Sequence, residues 1–173
     1  MNIFGITGWK NSGKTSLVVR LVKILGDRGY SVSTMKNTHH HFDIDQPGKD
    51  SFLHRQAGAS EVLISSDSRW ALLHEFSGES ESSMEELIAR MSPVDYLLVE
   101  GFKQSDHPKI QVIRVENNRE QLPDNVTNLV AIASDGDLNP KDYGCNGPLL
   151  DLNDEGQIAD FIISLSAGAN ESA

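Results

Sequence analysis

Residues 8–16 read GWKNSGKTS, with Gly8, Gly13, Lys14 and Thr15 filling the spacing G-x-x-x-x-G-K-T. The flanks make this segment the strongest constraint on the fold. Residues 2–7, NIFGIT, are short and mostly apolar, the pattern of a buried strand. From Gly13 the period changes. Leu17, Val18, Leu21, Val22, Ile24 and Leu25 recur at helical spacing, and Gly29 stands where a helix C′ residue is expected. Strand, glycine-rich turn and helix, in that order, are the context of a phosphate cradle. Gly8 and Gly13 let backbone approach a ligand where a Cβ would intrude. Successive N–H groups then point inward at phosphate oxygens, joined by the free N–H groups of the new helix. Lys14 is expected to reach the β- and γ-phosphates and the Thr15 hydroxyl to ligate magnesium.

The rest of the chain alternates between the two periods. Strands are expected at 30–36, 94–101, 109–115 and 128–134, and helices at 49–58, 84–91 and 154–165. EVLISS (61–66) and RWALLHEF (69–76) read as two strands joined by a tight turn at Asp67 and Ser68. The fold class is therefore α/β: a P-loop NTPase with a mostly parallel sheet flanked by helices and an antiparallel hairpin insertion. One domain over residues 1–166 is expected, with the hairpin at about 61–76 and a flexible tail at 167–173. Its 173 residues suffice for one core. The net charge of −10, without a Lys/Arg cluster, argues against a nucleic-acid partner. No apolar run approaches a membrane span, and no signal peptide is expected. A single cysteine, Cys145, rules out a disulfide within the chain, and the expected location is cytoplasmic.

A P-loop needs a second carboxylate near the magnesium, at the C-terminal end of a strand. In DYLLVEG, Asp95 begins the strand and Glu100 ends it. Five residues separate them by roughly 16 Å, so both cannot reach one ion, and Glu100 is the candidate. Asp95 reads as a cap or surface residue. Past a late apolar strand, Ser134-Asp135 occupies the place of a base-reading aspartate. One carboxylate can accept both N–H donors on the guanine edge. The alternative for Asp135 is an acid capping the Asp135-Gly136-Asp137 turn. THHHFDID (38–45) places His39, His40 and His41 with Asp43 and Asp45 on one loop. It suits transition-metal binding, contact with substrate or nucleotide, or a plain polar surface.

GWKNSGKTS, MKNTHHHFDIDQPGKDS, RWALLHE, LLVEGFK and AIASD together resemble the molybdopterin-guanine dinucleotide biosynthesis protein B family, over about residues 2–165. The segment K-x-T-H-H followed by D-x-D-x-P-G-K-D-S is the most specific part. The resemblance implies a GTP-binding adapter with weak GTPase activity, using GTP and Mg2+. It implies a homodimer that assists a molybdenum cofactor guanylyltransferase in joining GMP to molybdopterin, with molybdopterin itself a further candidate ligand. Carried over by position, Gly8, Trp9, Lys10, Asn11, Ser12, Gly13, Lys14, Thr15 and Ser16 form the P-loop. Glu100-Gly101 ends the Walker B strand, and Asp135 falls at the guanine position. His39, His40, Asp43, Asp45, Lys49 and Asp50 form a substrate or partner loop; position alone, apart from the resemblance, puts Asp45 or Asp43 near magnesium. Two alternatives stand beside this reading. A small-molecule kinase usually has an arginine-rich lid, whereas 77–92 is acidic and holds only Arg90. A metal-insertion GTPase would use the His39–His41 loop, but Cys145 lies far along the chain from it. No arginine or glutamine has an obvious claim to positioning the attacking water.

Overall fold

A computed structural model describes residues 1–38, 42–76, 78, 80–117 and 126–170. The elements in chain order are β1 (Asn2–Gly8), α1 (Lys14–Asp27), β2 (Val32–Lys36), α2 (Asp50–Gln56), β3 (Glu61–Ser65), β4 (Trp70–His74), α3 (Met84–Ala89), β5 (Tyr96–Glu100), β6 (Lys109–Ile113), β7 (Leu129–Ser134), β8 (Leu149–Asp151) and α4 (Glu155–Asn170). The chain divides into two compact units, one of Met1–Asn37 with Ser92–Ala173 and one of Thr38–Met91.

The first unit is a six-stranded sheet in the order β2-β5-β1-β6-β7-β8, and every pairing in it is parallel. Strands buried on both faces read as continuous apolar runs, and Tyr96, Leu97, Leu98 and Val99 of β5 are all buried. Leu17, Leu21 and Leu25 of α1 are buried in one core cluster with Ile158 and Ile162 of α4 and with Leu98, Ile110, Ala131 and Ala133 of the sheet. The i, i+4 spacing of the three α1 leucines, read from sequence as the buried face, is the reason α1 packs there. Parallel strands bring their C-terminal ends to one edge: Lys36 and Ile6 both lie beside Glu100 in register, and Gly8 lies beside Val112.

The strand expected at 109–115 ends at Ile113, the one expected at 30–36 begins at Val32, and the helix expected at 49–58 spans Asp50–Gln56. Residues 149–151 form an eighth strand that sequence periodicity does not reveal, and α4 continues to Asn170 rather than ending near 165. Asp95 serves the opposite edge of the sheet. Its Oδ2 accepts from the Ser31 N–H at 2.8 Å and from the Ser31 hydroxyl at 2.7 Å, and these bonds hold its carboxyl below the usual range. Lys109 is fully buried at the start of β6. Its ammonium donates to the carbonyl of Ser105, to that of His107 at 2.8 Å and to that of Thr127 at 3.0 Å. Burial lowers its pKa, and the three carbonyls replace the water it gives up.

The second unit holds α2, the β3–β4 hairpin and α3. The hairpin pairs antiparallel, with Leu63 opposite Leu72 and Ser65 opposite Trp70. Side chains alternate across a strand, so Leu63, Trp70 and Leu72 share one face. They are 61%, 65% and 42% exposed, which places Trp70 outside any core of this chain. Ser83 caps α3 and forms a capping box with Glu86.

Candidate functional site

The turn between β1 and α1 has the shape of a cradle. Gly8 and Gly13 take φ of +143° and +95°, and Asn11 takes +65°. A Cβ on Gly8 would stand 2.5 Å from the Val112 carbonyl oxygen and 2.9 Å from the Ser12 Oγ, so glycine is required there. Gly13 is the N-cap of α1, with no side-chain cap and no acidic residue in the first turn. The positive end of α1 is therefore open to an anion. Ser12 Oγ is buried with no hydrogen-bond partner among the described residues, and the Ser12 N–H donates to the Trp9 carbonyl at 3.2 Å. Trp9, Lys10, Asn11, Thr15 and Ser16 lie on the exposed side of the turn.

Lys14 folds back over this turn and donates to the Trp9 carbonyl at 2.5 Å. Burial lowers its pKa; Glu100 opposes the shift, and Lys103 and Lys36 add to it. Lys36 Nζ lies 3.5 Å from Glu100 Oε2. Thr15 Oγ1 lies 3.4 and 3.5 Å from the two Glu100 oxygens. The strand-end argument thus brings Glu100 to Thr15 and leaves Asp95 at the other end of β5. A hydroxyl and a carboxylate side by side, next to an anion cradle, form a donor set suited to magnesium, which retains water and phosphate oxygens as further ligands. Gly101 follows at φ +102°, where a Cβ would meet Asn37 at 2.9 Å.

Asp135 sits just beyond β7 with both carboxylate oxygens engaged. Oδ1 accepts from the Val115 N–H at 2.9 Å and Oδ2 from Arg114 Nη1 at 3.1 Å. Each oxygen keeps a second lone pair. Sequence reading missed Arg114, which follows β6. A Cβ on Gly13 would stand 3.2 Å from both its Nε and its Nη2. Sequence periodicity put Arg114 inside the strand expected at 109–115, whereas β6 ends at Ile113.

The second unit gathers another set of the expected residues. Arg55 of α2 donates to Asp43 Oδ1 at 2.9 Å, to Asp45 Oδ2 at 3.4 Å and to Glu75 Oε1 at 2.6 Å. Ser51 Oγ donates to Asp45 Oδ1 at 2.8 Å, and the Asp45 side chain is 5% exposed. The Arg55 guanidinium holds the Asp43 carboxyl below the usual range, and these bonds raise its own pKa. Lys49 is the N-cap of α2, and Asp50 begins the helix. His39, His40 and His41 lie outside the described residues. Among the described residues, no group of three or more His, Cys, Asp or Glu side chains is arranged to hold a metal ion. No described helix is long and apolar enough to cross a membrane.

Comparison with known proteins finds relatives along nearly the whole chain. The family model described as "Molybdopterin guanine dinucleotide synthesis protein B" matches residues 3–135. The chain is 37% identical over 166 residues to the molybdopterin-guanine dinucleotide biosynthesis adapter protein of Escherichia coli, covering 93% of this chain and 91% of the relative. It is 38% identical over 162 residues to the protein of the same name from Haemophilus influenzae, covering 92% and 86%. Among solved structures it resembles Bacillus subtilis MobB in fold, with a TM-score of 0.75, 23% identity and coverage of 95% and 97%.

Proposed function

We propose, because the chain belongs to the molybdopterin-guanine dinucleotide synthesis protein B family, that it is a GTP-binding adapter in molybdopterin-guanine dinucleotide biosynthesis. It hydrolyses GTP slowly and assists a partner guanylyltransferase in attaching GMP to molybdopterin. The adapter role has its support in the names of the relatives and in the extent of the match. The observation that carries the nucleotide reading is the juxtaposition of Thr15 and Glu100, 3.4 Å apart, beside a glycine cradle with an open helix end. In this reading the backbone of residues 8–16 and the Lys14 ammonium hold the phosphates. Thr15 and Glu100 hold magnesium, which supplies positive charge to the phosphate oxygens.

Asp135 reads the guanine edge, and it is preset for this by the bonds that fix its carboxylate. Asp135→Asn turns one acceptor into a donor aimed at the base. GTP affinity is expected to fall roughly ten- to a hundredfold relative to ATP affinity. An unchanged GTP-to-ATP ratio would remove Asp135 from the base site. The exposed Leu63, Trp70 and Leu72 face is assigned to a second copy of the chain, completing a homodimer. Sedimentation of the full chain should give a dimer and that of Trp70→Glu a monomer; a monomeric wild type would end that assignment.

A further inference from the structure

We propose that Arg114 is a nucleotide-binding residue that bridges the phosphate cradle and the base-reading aspartate. This rests on the reading of Asp135 given above, but its first half does not depend on the base. Register places Val112 of β6 beside Gly8 of β1, so the residues after β6 emerge next to the cradle. Arg114 is two residues farther on. Its guanidinium turns two edges in different directions. Nη1 donates to Asp135 Oδ2 at 3.1 Å. The Nε and Nη2 edge faces Gly13, where a Cβ would meet both nitrogens at 3.2 Å.

That placement is electrostatically costly without an anion. Gly13 is the N-cap of α1, whose first turn contains no acidic residue and whose cap has no side-chain acceptor. A cation near the positive end of a helix is repelled by it. Asp135 offsets that repulsion on one side, and the Arg114 side chain remains 39% exposed. A phosphate in the cradle would satisfy the helix end and the guanidinium together. The Nε and Nη2 pair is the fork that binds two oxygens of one phosphate. The same side chain then fixes Asp135 through Nη1. Phosphate and base are thus held by one planar group, and ordering the first helps to order the second.

The test uses the full chain and inorganic tripolyphosphate with magnesium, a probe without a base. Binding is measured by calorimetry for the wild type, Arg114→Ala, Arg114→Lys and Asp135→Asn. Arg114→Ala is expected to weaken tripolyphosphate and ATP by roughly tenfold or more, and GTP by at least as much because Asp135 also loses its Nη1 bond. Arg114→Lys should recover part of that loss, because it keeps the charge and loses the fork. Asp135→Asn should lower GTP affinity well beyond any change in tripolyphosphate affinity, which it reaches only through its contact with Arg114. Thermal melting of each variant separates lost binding from lost fold; Arg114→Lys serves where the alanine variant is unstable. Equal tripolyphosphate affinity in the wild type and Arg114→Ala would overturn the inference. A loss confined to GTP would also overturn it, because Arg114 would then act only by holding Asp135. Failure of tripolyphosphate to bind the wild type would remove the phosphate site itself, and the inference with it. If Arg114→Ala weakens tripolyphosphate while Asp135→Asn leaves GTP preference intact, the phosphate contact stands and the guanine reading falls.

Discussion

Lys14→Ala is expected to abolish measurable nucleotide binding while the chain stays folded. The reason lies in what surrounds the ammonium. Lys14 is turned onto the Trp9 carbonyl at 2.5 Å, over the cradle it closes. Charge-assisted bonds to phosphate are each worth about 1.5–3 kcal/mol, so losing contacts to two phosphates weakens binding by a hundredfold or more, roughly. Little of the fold depends on this side chain: α1 is anchored by Leu17, Leu21 and Leu25, all buried. The lowered pKa of Lys14 adds a sign that can be checked. A bound phosphate favours the charged ammonium and raises its pKa. Affinity is therefore full below the lowered pKa of the free site and declines as pH rises through it, with proton uptake on binding in that window. Titration calorimetry in buffers of different ionisation enthalpy reads this uptake. GTP affinity retained by Lys14→Ala would contradict the cradle assignment.

The largest effect on stability is expected at Gly147, just before β8. A Cβ there would lie 1.7 Å from the Val130 carbonyl oxygen and 2.6 Å from its carbon. These are backbone atoms of a buried strand and cannot swing aside. Gly147→Ala must push the approach to β8 off β7, where the Ile132 N–H donates to the Pro148 carbonyl at 3.1 Å. The cost is about 3 kcal/mol or more, which lowers the melting temperature by roughly 6–12 °C for a chain of this size. An alanine variant that melts with the wild type would show that this approach yields more than the sheet geometry allows.

What could be read from sequence follows from how local each signal is. Gly8 to Thr15 needs only its own spacing and two flanking periods, so the cradle was legible. Glu100 was legible because strand length alone separates it from Asp95, and the structure sets Glu100 beside Thr15 and Asp95 beside Ser31. Arg114 was not, because its role depends on β6 pairing beside β1, a register that no local pattern encodes. The strand β8 was hidden for another reason. Three residues after Gly147-Pro148 give no period, and the strand exists through its pairing with β7. Arg55 likewise joins Asp43, Asp45 and Glu75 only once α2 and the hairpin are in place. The sequence expectation put Asp45 at the magnesium without foreseeing those two partners, Arg55 and Ser51.

The most direct test of the central claim is equilibrium titration of the full chain with GTP and with ATP in the presence of magnesium, followed by steady-state phosphate release. A GTP-binding adapter predicts preference for GTP and release on the order of 10⁻⁴–10⁻³ per second without a partner. Preference for ATP, or rapid turnover with a small-molecule acceptor, would contradict it.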